Sequence, residues 1–121
     1  AGSRLKLAVN QWVLALTDAT AASIALAERL GLDGRQFLAA IEGSPTDSPY
    51  AHLKGPAMLA GHGPVSFALA GAAKDAGLIA AAGHRAGADT ALIDAIGAHL
   101  RAAAEAGHAS EDMAAVIHAH R

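Results

Sequence analysis

The sequence predicts an all-α domain in which a long N-terminal helix precedes a bundle of four or five shorter helices. Hydrophobic residues make up 53% of the 121 residues and aromatic residues only 3%, so alanine and leucine supply most of the apolar side chains. Both are among the most favourable residues in a helix interior. All four prolines lie between residues 45 and 64, which leaves long proline-free segments on either side. The length suits a single domain.

The first helix is predicted over 3–30, a segment without glycine or proline. A helix of ~28 residues is ~42 Å long, whereas a folded chain of this size has a diameter of ~35 Å. One end should therefore extend beyond the domain and need cover from another domain or a second subunit, and we expect a homodimer. Its apolar residues recur with the period of a helix: Leu5, Val9, Trp12, Val13, Leu16, Ile24 and Leu30.

The next two elements are predicted to be short. Gly31 ends the first helix, and Asp33 with Gln36 has the spacing of a capping box for a helix that ends near Glu42. The segment 43–49 is rich in turn residues and should be a loop. Because prolines interrupt the segment 50–60 and its flanks, we expect at most a broken helix there.

Capping residues predict the remaining helices. Ser66 should cap a helix over 67–85, Asp89 should cap a helix that ends at Ala106, and residues 110–112 should open a final helix. No internal repeat and no low-complexity linker occurs in the sequence.

Composition and charge exclude several classes of function. The formal net charge is −2, with no basic stripe or acidic block, which argues against a nucleic acid or a membrane surface as partner. There is no cysteine, no apolar run long enough for a membrane span and no signal peptide, so we expect a cytoplasmic protein. The first residue is not methionine, which suggests a segment of something longer.

The seven histidines are spread along the chain, and no His-x3-His pair occurs among them. On a helix, His118 and His120 would point to nearly opposite faces. We therefore expect no metal site. The seven are His52, His62, His84, His99, His108, His118 and His120.

A polar strip at the start of the first helix is the main candidate for chemistry. Lys6 and Asn10 are four residues apart and share one face, and Ser3 adds a hydroxyl one turn earlier. The positive end of a helix disfavours an ammonium group, so Lys6 is placed where a proton can be released or accepted. On spacing alone, an ordinary solvated lysine and amide on a helix surface is the simpler interpretation.

A second candidate lies further along the chain. Phe67, Gly71 and Lys74 fall on one helix face, with the glycine expected to leave a hollow between an aromatic ring and a cation, where a planar ring or a carboxylate could rest. Asp75 lies beside this face and could orient a lysine from another element. Core packing of the ring and ordinary charge pairing are the simpler interpretation.

Five blocks of sequence occur in a characteristic order, and together they resemble the C-terminal helical domain of the β-hydroxyacid dehydrogenases, the 3-hydroxyisobutyrate dehydrogenase group related to 6-phosphogluconate dehydrogenase. The resemblance covers essentially all 121 residues. The blocks are Gly-Ser-x-x-Lys-x-x-x-Asn from Gly2, Gly-Leu-Asp from Gly31, Ser-Pro-Tyr-x-x-x-Lys-Gly-Pro-x-Met-Leu from Ser48, Phe67 with Lys74-Asp75, and Gly-His-x-x-Glu-Asp from Gly107.

The resemblance implies an enzyme in which a Rossmann domain binds NAD or NADP while this domain closes over a small hydroxyacid or semialdehyde. By the same resemblance, Lys6 corresponds to the catalytic lysine and Asn10 to the substrate-contacting asparagine, with Ser3 and Phe67 also in the substrate site. Lys74 and Asp75 correspond to a pair at the nicotinamide end of the cofactor or the substrate.

The chain departs from the whole family pattern because it contains no G-x-G-x-x-G turn for the phosphates of a dinucleotide. We therefore interpret residues 1–121 as a single substrate-binding and dimerisation domain, without dehydrogenase activity or tight cofactor binding by itself. A non-catalytic helical oligomerisation module is the alternative. An imine-reducing relative is disfavoured, since such relatives usually replace the lysine found here at Lys6.

Overall fold

The computed structural model describes residues 2–121, and these confirm the all-α prediction: no β-strand occurs among them. None of the helices in this part of the chain combines the length and hydrophobicity that crossing a membrane requires. A short π-helical segment, Ala104–His108, continues the fifth helix, and a 3₁₀ helix, Met113–Ala119, ends the fold. The α-helices are α1 Gly2–Arg29, α2 Arg35–Ile41, α3 Pro49–Ala60, α4 Leu69–Arg85 and α5 Ala91–Ala103.

The long helix α1 has two different halves. Its second half is embedded in the domain, where it packs against α3, α5 and the 3₁₀ helix, and Ile24 there is fully buried. Its first half contains large apolar side chains that are half or more exposed, namely Leu5, Val9 and Trp12. The first half of α1 therefore has an apolar surface that the described residues leave uncovered, and its extension beyond the domain stays a prediction.

The core lies between the second half of α1 and the helices that come after it in the chain. Apolar side chains from α1, α3, α4, α5 and the 3₁₀ helix meet in one cluster. Its largest fully buried members are Ile24, Met58, Leu69, Ile96, Leu100, Val116 and Ile117. Because these residues come from both ends of the sequence, closing the core fixes the C-terminal segment against α1.

The capping box before α2 is confirmed in its main feature. The Asp33 backbone N–H donates to Gln36 Oε1 at 2.9 Å, and Asp33 Oδ1 accepts from the Arg35 backbone N–H at 2.9 Å. Asp89 likewise accepts from the Ala91 N–H at 2.8 Å at the start of α5. Both predicted caps thus satisfy N–H groups that helix starts leave without partners.

The expectation of a broken helix over 50–60 is wrong, because α3 is one helix from Pro49 to Ala60. Ser48 caps it by accepting from the Tyr50 N–H at 3.2 Å, and Pro49 occupies a position where a missing N–H costs nothing. Pro56 lies on the exposed side. Packing against α2 also favours the helix, since a Cβ on Gly55 would lie 2.5 Å from Leu38 Cδ1.

Two predicted boundaries near the C-terminal half are corrected. Ser66 does not cap α4, which begins at Leu69 after Ala68, because the Ser66 side chain is bonded elsewhere. The α-helical part of α5 ends at Ala103 rather than at Ala106, and the chain turns at Gly107, whose φ of 106° is unfavourable for other residues. Asp112 opens the last helix as predicted, accepting from the Ala114 N–H at 2.9 Å.

Candidate active site

The start of α1 and the middle of α4 enclose an open depression of about 270 Å³. Ser3, Lys6 and Asn10 line it from α1, in the predicted register of one residue per turn. Asp75 faces them from α4, together with apolar side chains of both helices. The polar strip on α1 and the carboxylate on α4, which are 65 or more residues apart in sequence, thus border the same space.

A second, smaller depression of about 140 Å³ adjoins the first. The two share Asn10 and Asp75, and Phe67 lines the second. Its remaining wall is apolar and consists of Val13, Leu14 and Met113. We refer to the two depressions together as the cleft: a polar end around Lys6 continues into an apolar end beside Phe67.

Lys6 is exposed and makes no hydrogen bond or ion pair with any residue in 2–121. α1 begins at Gly2, so Lys6 lies just beyond the helix start. Asn10 and Asp75 are half-buried and also lack protein partners for their side chains within the described residues. The cleft therefore presents an ammonium, an amide and a carboxyl group that protein contacts leave available to a ligand.

Lys74 is the one predicted site residue that does not line the cleft. Its side chain is exposed, whereas its neighbour Asp75 is half-buried and lines both depressions. The hollow expected at Gly71 is absent from the structure, because the ring of Phe67 packs onto this glycine: a Cβ there would lie 3.2 Å from two ring carbons. The aromatic ring thus occupies the space beside the glycine, and no room for a ligand remains at that point.

A buried ion pair holds the chain that leads into Phe67. Lys54 Nζ donates to Asp112 Oδ2 and to Ser66 Oγ, each at 2.9 Å, and both charged residues are more than 90% buried. Asp112 Oδ1 accepts from the backbone N–H groups of Ser66 and Phe67 at 2.9 and 3.1 Å. The Met113 N–H donates to the Phe67 carbonyl at 2.8 Å. We call Lys54, Ser66 and Asp112 the clasp.

The clasp keeps Asp112 ionised although the residue is buried. Burial by itself raises the pKa of this carboxyl group, but the Ala114 N–H, the Lys54 ammonium and the N–H groups of Phe67 and Ser66 outweigh burial and hold its pKa well below the usual range. Phe67 is hydrogen-bonded to Asp112, and Met113 follows Asp112 in the chain and is hydrogen-bonded to Phe67. Because Phe67 and Met113 both line the cleft, the clasp fixes its apolar end.

Sequence reasoning did not identify the clasp. Lys54 and Asp112 are 58 residues apart, and no spacing rule relates them. The available signal was weak: a single lysine in an otherwise apolar stretch of α3, and an aspartate before the last helix.

Comparison with known proteins places the chain in a family. Residues 1–120 match the family model described as NAD-binding of NADP-dependent 3-hydroxyisobutyrate dehydrogenase. The chain therefore belongs to the 3-hydroxyisobutyrate dehydrogenase-like family, and the resemblance noted from the five sequence blocks is confirmed. No curated protein matches the sequence.

Two solved structures are similar over almost the whole chain. A 3-hydroxyisobutyrate dehydrogenase from Mycobacterium tuberculosis, solved with L-serine, is 29% identical over 100% of this chain, with a TM-score of 0.83. One from Salmonella typhimurium has a TM-score of 0.89 over 98% of this chain at 24% identity, which supports the fold alone. The chain spans 44% and 41% of the lengths of these two relatives.

Proposed function

We propose that this chain is the substrate-binding and dimerisation domain of an NAD(P)-dependent β-hydroxyacid dehydrogenase in which Lys6 is the general acid and base. The observation that carries the proposal is the meeting of Lys6, Asn10 and Asp75 in one depression, where Lys6 has no protein partner among residues 2–121. Family membership supports the same reaction class. The substrate would be a 3-hydroxy acid or the corresponding semialdehyde.

The polar end of the cleft suits proton transfer at a hydroxyl-bearing carbon. In the direction of oxidation, neutral Lys6 Nζ would take the hydroxyl proton; in the direction of reduction, the ammonium would return a proton to the carbonyl oxygen. Asn10 lies one turn along α1 and can hold the same oxygen or the substrate carboxylate with its amide. Asp75, across the cleft, can accept from the ammonium and orient it.

The apolar end of the cleft fits the nicotinamide ring of the cofactor. Phe67, Met113 and Leu14 offer an aromatic and aliphatic wall, and the polar side chains of Asn10 and Asp75 border it, which matches a flat ring that carries one amide. When bound, the cofactor supplies or accepts the hydride. The chain has no glycine-rich turn for the dinucleotide phosphates, so a separate Rossmann domain would bind most of the cofactor.

The same proposal assigns roles to Ser3, to Lys74 and to the exposed apolar side chains of α1. Ser3 would contact the substrate from the outer edge of the cleft, and Lys74 would contact the cofactor from the exposed side of α4. The exposed apolar side chains of the first half of α1 would be covered by the Rossmann domain or by a second subunit of a homodimer. The isolated chain would have no dehydrogenase activity.

The test is turnover of 3-hydroxy acids and semialdehydes by the full-length enzyme with either NAD or NADP. Lys6→Ala should lower kcat by ~10² to 10⁴, because a proton-transfer group is lost. Asn10→Ala should raise KM, because a substrate contact is lost while the proton donor stays. Arg29→Ala is the matched control: it removes another exposed cation from α1, at the far end of the helix, and should leave turnover unchanged.

Turnover by Lys6→Ala within a few-fold of the unsubstituted enzyme would overturn the catalytic assignment. Turnover by the isolated chain with added cofactor would overturn the assignment of a separate Rossmann domain. A non-catalytic oligomerisation module, the alternative function, predicts no turnover with any substrate of this class, while the cleft residues could be replaced without consequence.

A further inference from the structure

The fold gathers three polar side chains at a second place, far from the cleft. Asp18, in the buried half of α1, is hydrogen-bonded to two histidines. One carboxylate oxygen contacts His99 of α5, and the other contacts His120 of the C-terminal segment. Both nitrogen–oxygen distances are 2.7 Å. Asp18 lies twelve residues after Lys6, about 18 Å along the helix axis. His99 and His120 are 21 residues apart in the sequence, and the fold brings them together at Asp18.

The geometry of this group suits convergence on one point. The imidazole rings of His99 and His120 lie edge to face, with centroids 4.5 Å apart and an interplanar angle of 63°. One nitrogen of each ring and one carboxylate oxygen all lie within 4.8 Å of one another. We propose that Asp18, His99 and His120 form a binding site for a divalent transition-metal ion, with Zn²⁺ as the ion that fits best.

The donor set favours zinc over the hard cations. Two neutral imidazoles and one carboxylate are ligands that Zn²⁺ takes in three-ligand sites, whereas Mg²⁺ and Ca²⁺ prefer oxygen ligands throughout. Each imidazole would bind as its neutral form with the proton on the nitrogen that faces away from Asp18. A tetrahedral site needs neighbouring ligand atoms ~3.3 Å apart, so the 2.7 Å contact to the carboxylate oxygen that binds the ion would open by about 0.6 Å.

Burial and anchoring favour a preformed site with one open position. The Asp18 and His120 side chains are 10% and 13% exposed, while that of His99 is 40% exposed and leaves a route for the ion and a water ligand. The residue after His120 is anchored as well: Arg121 pairs with Glu28 of α1 at 3.0 Å. The chain end that supplies one ligand is thus held against the helix that supplies another.

A second histidine cluster among the described residues differs in geometry from the group around Asp18. His108 pairs with Glu111, and the ring of His118 stacks on that of His108 at 3.8 Å and only 6° from parallel. His118 Nε2 is already bonded to the Gly61 carbonyl at 2.9 Å. The ligand atoms of His108, Glu111 and His118 also lie within 4.8 Å of one another. The parallel stacking of the two rings and the bond of His118 to Gly61 make this cluster the poorer fit for one ion.

The test is calorimetric titration of the chelator-treated chain with Zn²⁺, with Co²⁺ absorption as a second readout. We expect one Zn²⁺ per chain, and a visible Co²⁺ spectrum of a four-coordinate ion. His99→Gln should weaken Zn²⁺ binding by more than the ~10- to 100-fold that loss of a group merely hydrogen-bonded to a ligand costs. Because His99 is the most exposed of the three residues, this variant should keep its fold, which circular dichroism checks.

His108→Gln is the matched control, since it removes a histidine from the other cluster and should leave Zn²⁺ binding unchanged. The absence of saturable Zn²⁺ binding by the unsubstituted chain would overturn the proposal. Equal binding by the unsubstituted chain and His99→Gln would also overturn it, as would loss of binding in His108→Gln, which would assign the ion to the other cluster.

Discussion

Two lysine–aspartate combinations differ completely in their surroundings. Lys54 and Asp112 are buried, 2.9 Å apart, and bonded to the neighbouring backbone. Lys6 and Asp75 border an open depression, and Lys6 has no partner among the described residues. A charge whose bonds are all made within the protein stabilises the fold, whereas a charge left without partners beside a depression is available to a ligand. The same residue types thus serve structure in one place, and we propose that they serve chemistry in the other.

The largest effect on stability should come from the buried combination. Lys54→Met leaves Asp112 as a buried anion without its cation and should lower the free energy of unfolding by about 3–5 kcal/mol, near the lower limit because backbone N–H groups still bond the carboxylate. Urea denaturation measures it. Lys74→Met, which removes an exposed lysine, should change stability by less than about 0.5 kcal/mol. Equal losses in both variants would contradict the structural role of the clasp.

The two halves of α1 should also differ in how much their side chains contribute to stability. Leu14→Ala removes a side chain that is 5% exposed and should cost about 2–5 kcal/mol of unfolding free energy through lost burial and a residual cavity. Leu5→Ala removes one that is 67% exposed and should cost less than about 0.5 kcal/mol in the monomer. Denaturation at low protein concentration makes the comparison; a large loss in Leu5→Ala would show that its half of α1 is buried.

The pH dependence of stability should report the clasp. The pKa of Asp112 is lowered in the folded protein, so the unfolded chain binds more protons in acid and the stabilisation, complete above about pH 5, is lost as the pH falls through 4 and below. Between pH 5 and pH 2, Asp112→Asn should therefore lose less stability than the unsubstituted chain. Parallel pH profiles of the two proteins would contradict this assignment.

Because Asp33 also makes the stability sensitive to acid, the pH profile of the unsubstituted chain must be compared with that of Asp112→Asn. The hydrogen bonds from Arg35 lower the pKa of Asp33 to about 2, so the unsubstituted chain has acid sensitivity from a second source. Asp33 is intact in Asp112→Asn, and its contribution cancels in the difference between the two profiles.

The smallest expected effect is spectroscopic. Trp12 is the only tryptophan in the chain, is 64% exposed and lies on the first half of α1. If two chains associate through this half, the emission of Trp12 should shift to shorter wavelength as the concentration rises, because its ring leaves water. Light scattering gives the mass in the same samples. A dimer mass with unchanged emission would move the interface to another surface.

The parts of the fold that local patterns determine could be predicted, namely the extent of α1, the Asp33–Gln36 capping box and the cap at Asp89. Lys6 and Asn10 could be placed on one face because four residues make about one helical turn. Contacts between distant segments could not be predicted this way. The Lys54–Asp112 pair, the seating of Phe67 on Gly71 and the meeting of His99 with His120 at Asp18 all depend on how helices pack. The continuity of α3 through Pro56 has the same origin.

One pair of variants tests the contrast between the two lysines most directly, with turnover of the full-length enzyme and urea denaturation of this chain measured on both. Lys6→Ala should lower kcat by ~10² to 10⁴ while changing the unfolding free energy by less than about 0.5 kcal/mol. Lys54→Met should mainly lower the unfolding free energy. Turnover by Lys6→Ala within a few-fold of the unsubstituted enzyme, or a loss of stability as large as that of Lys54→Met, would contradict the account.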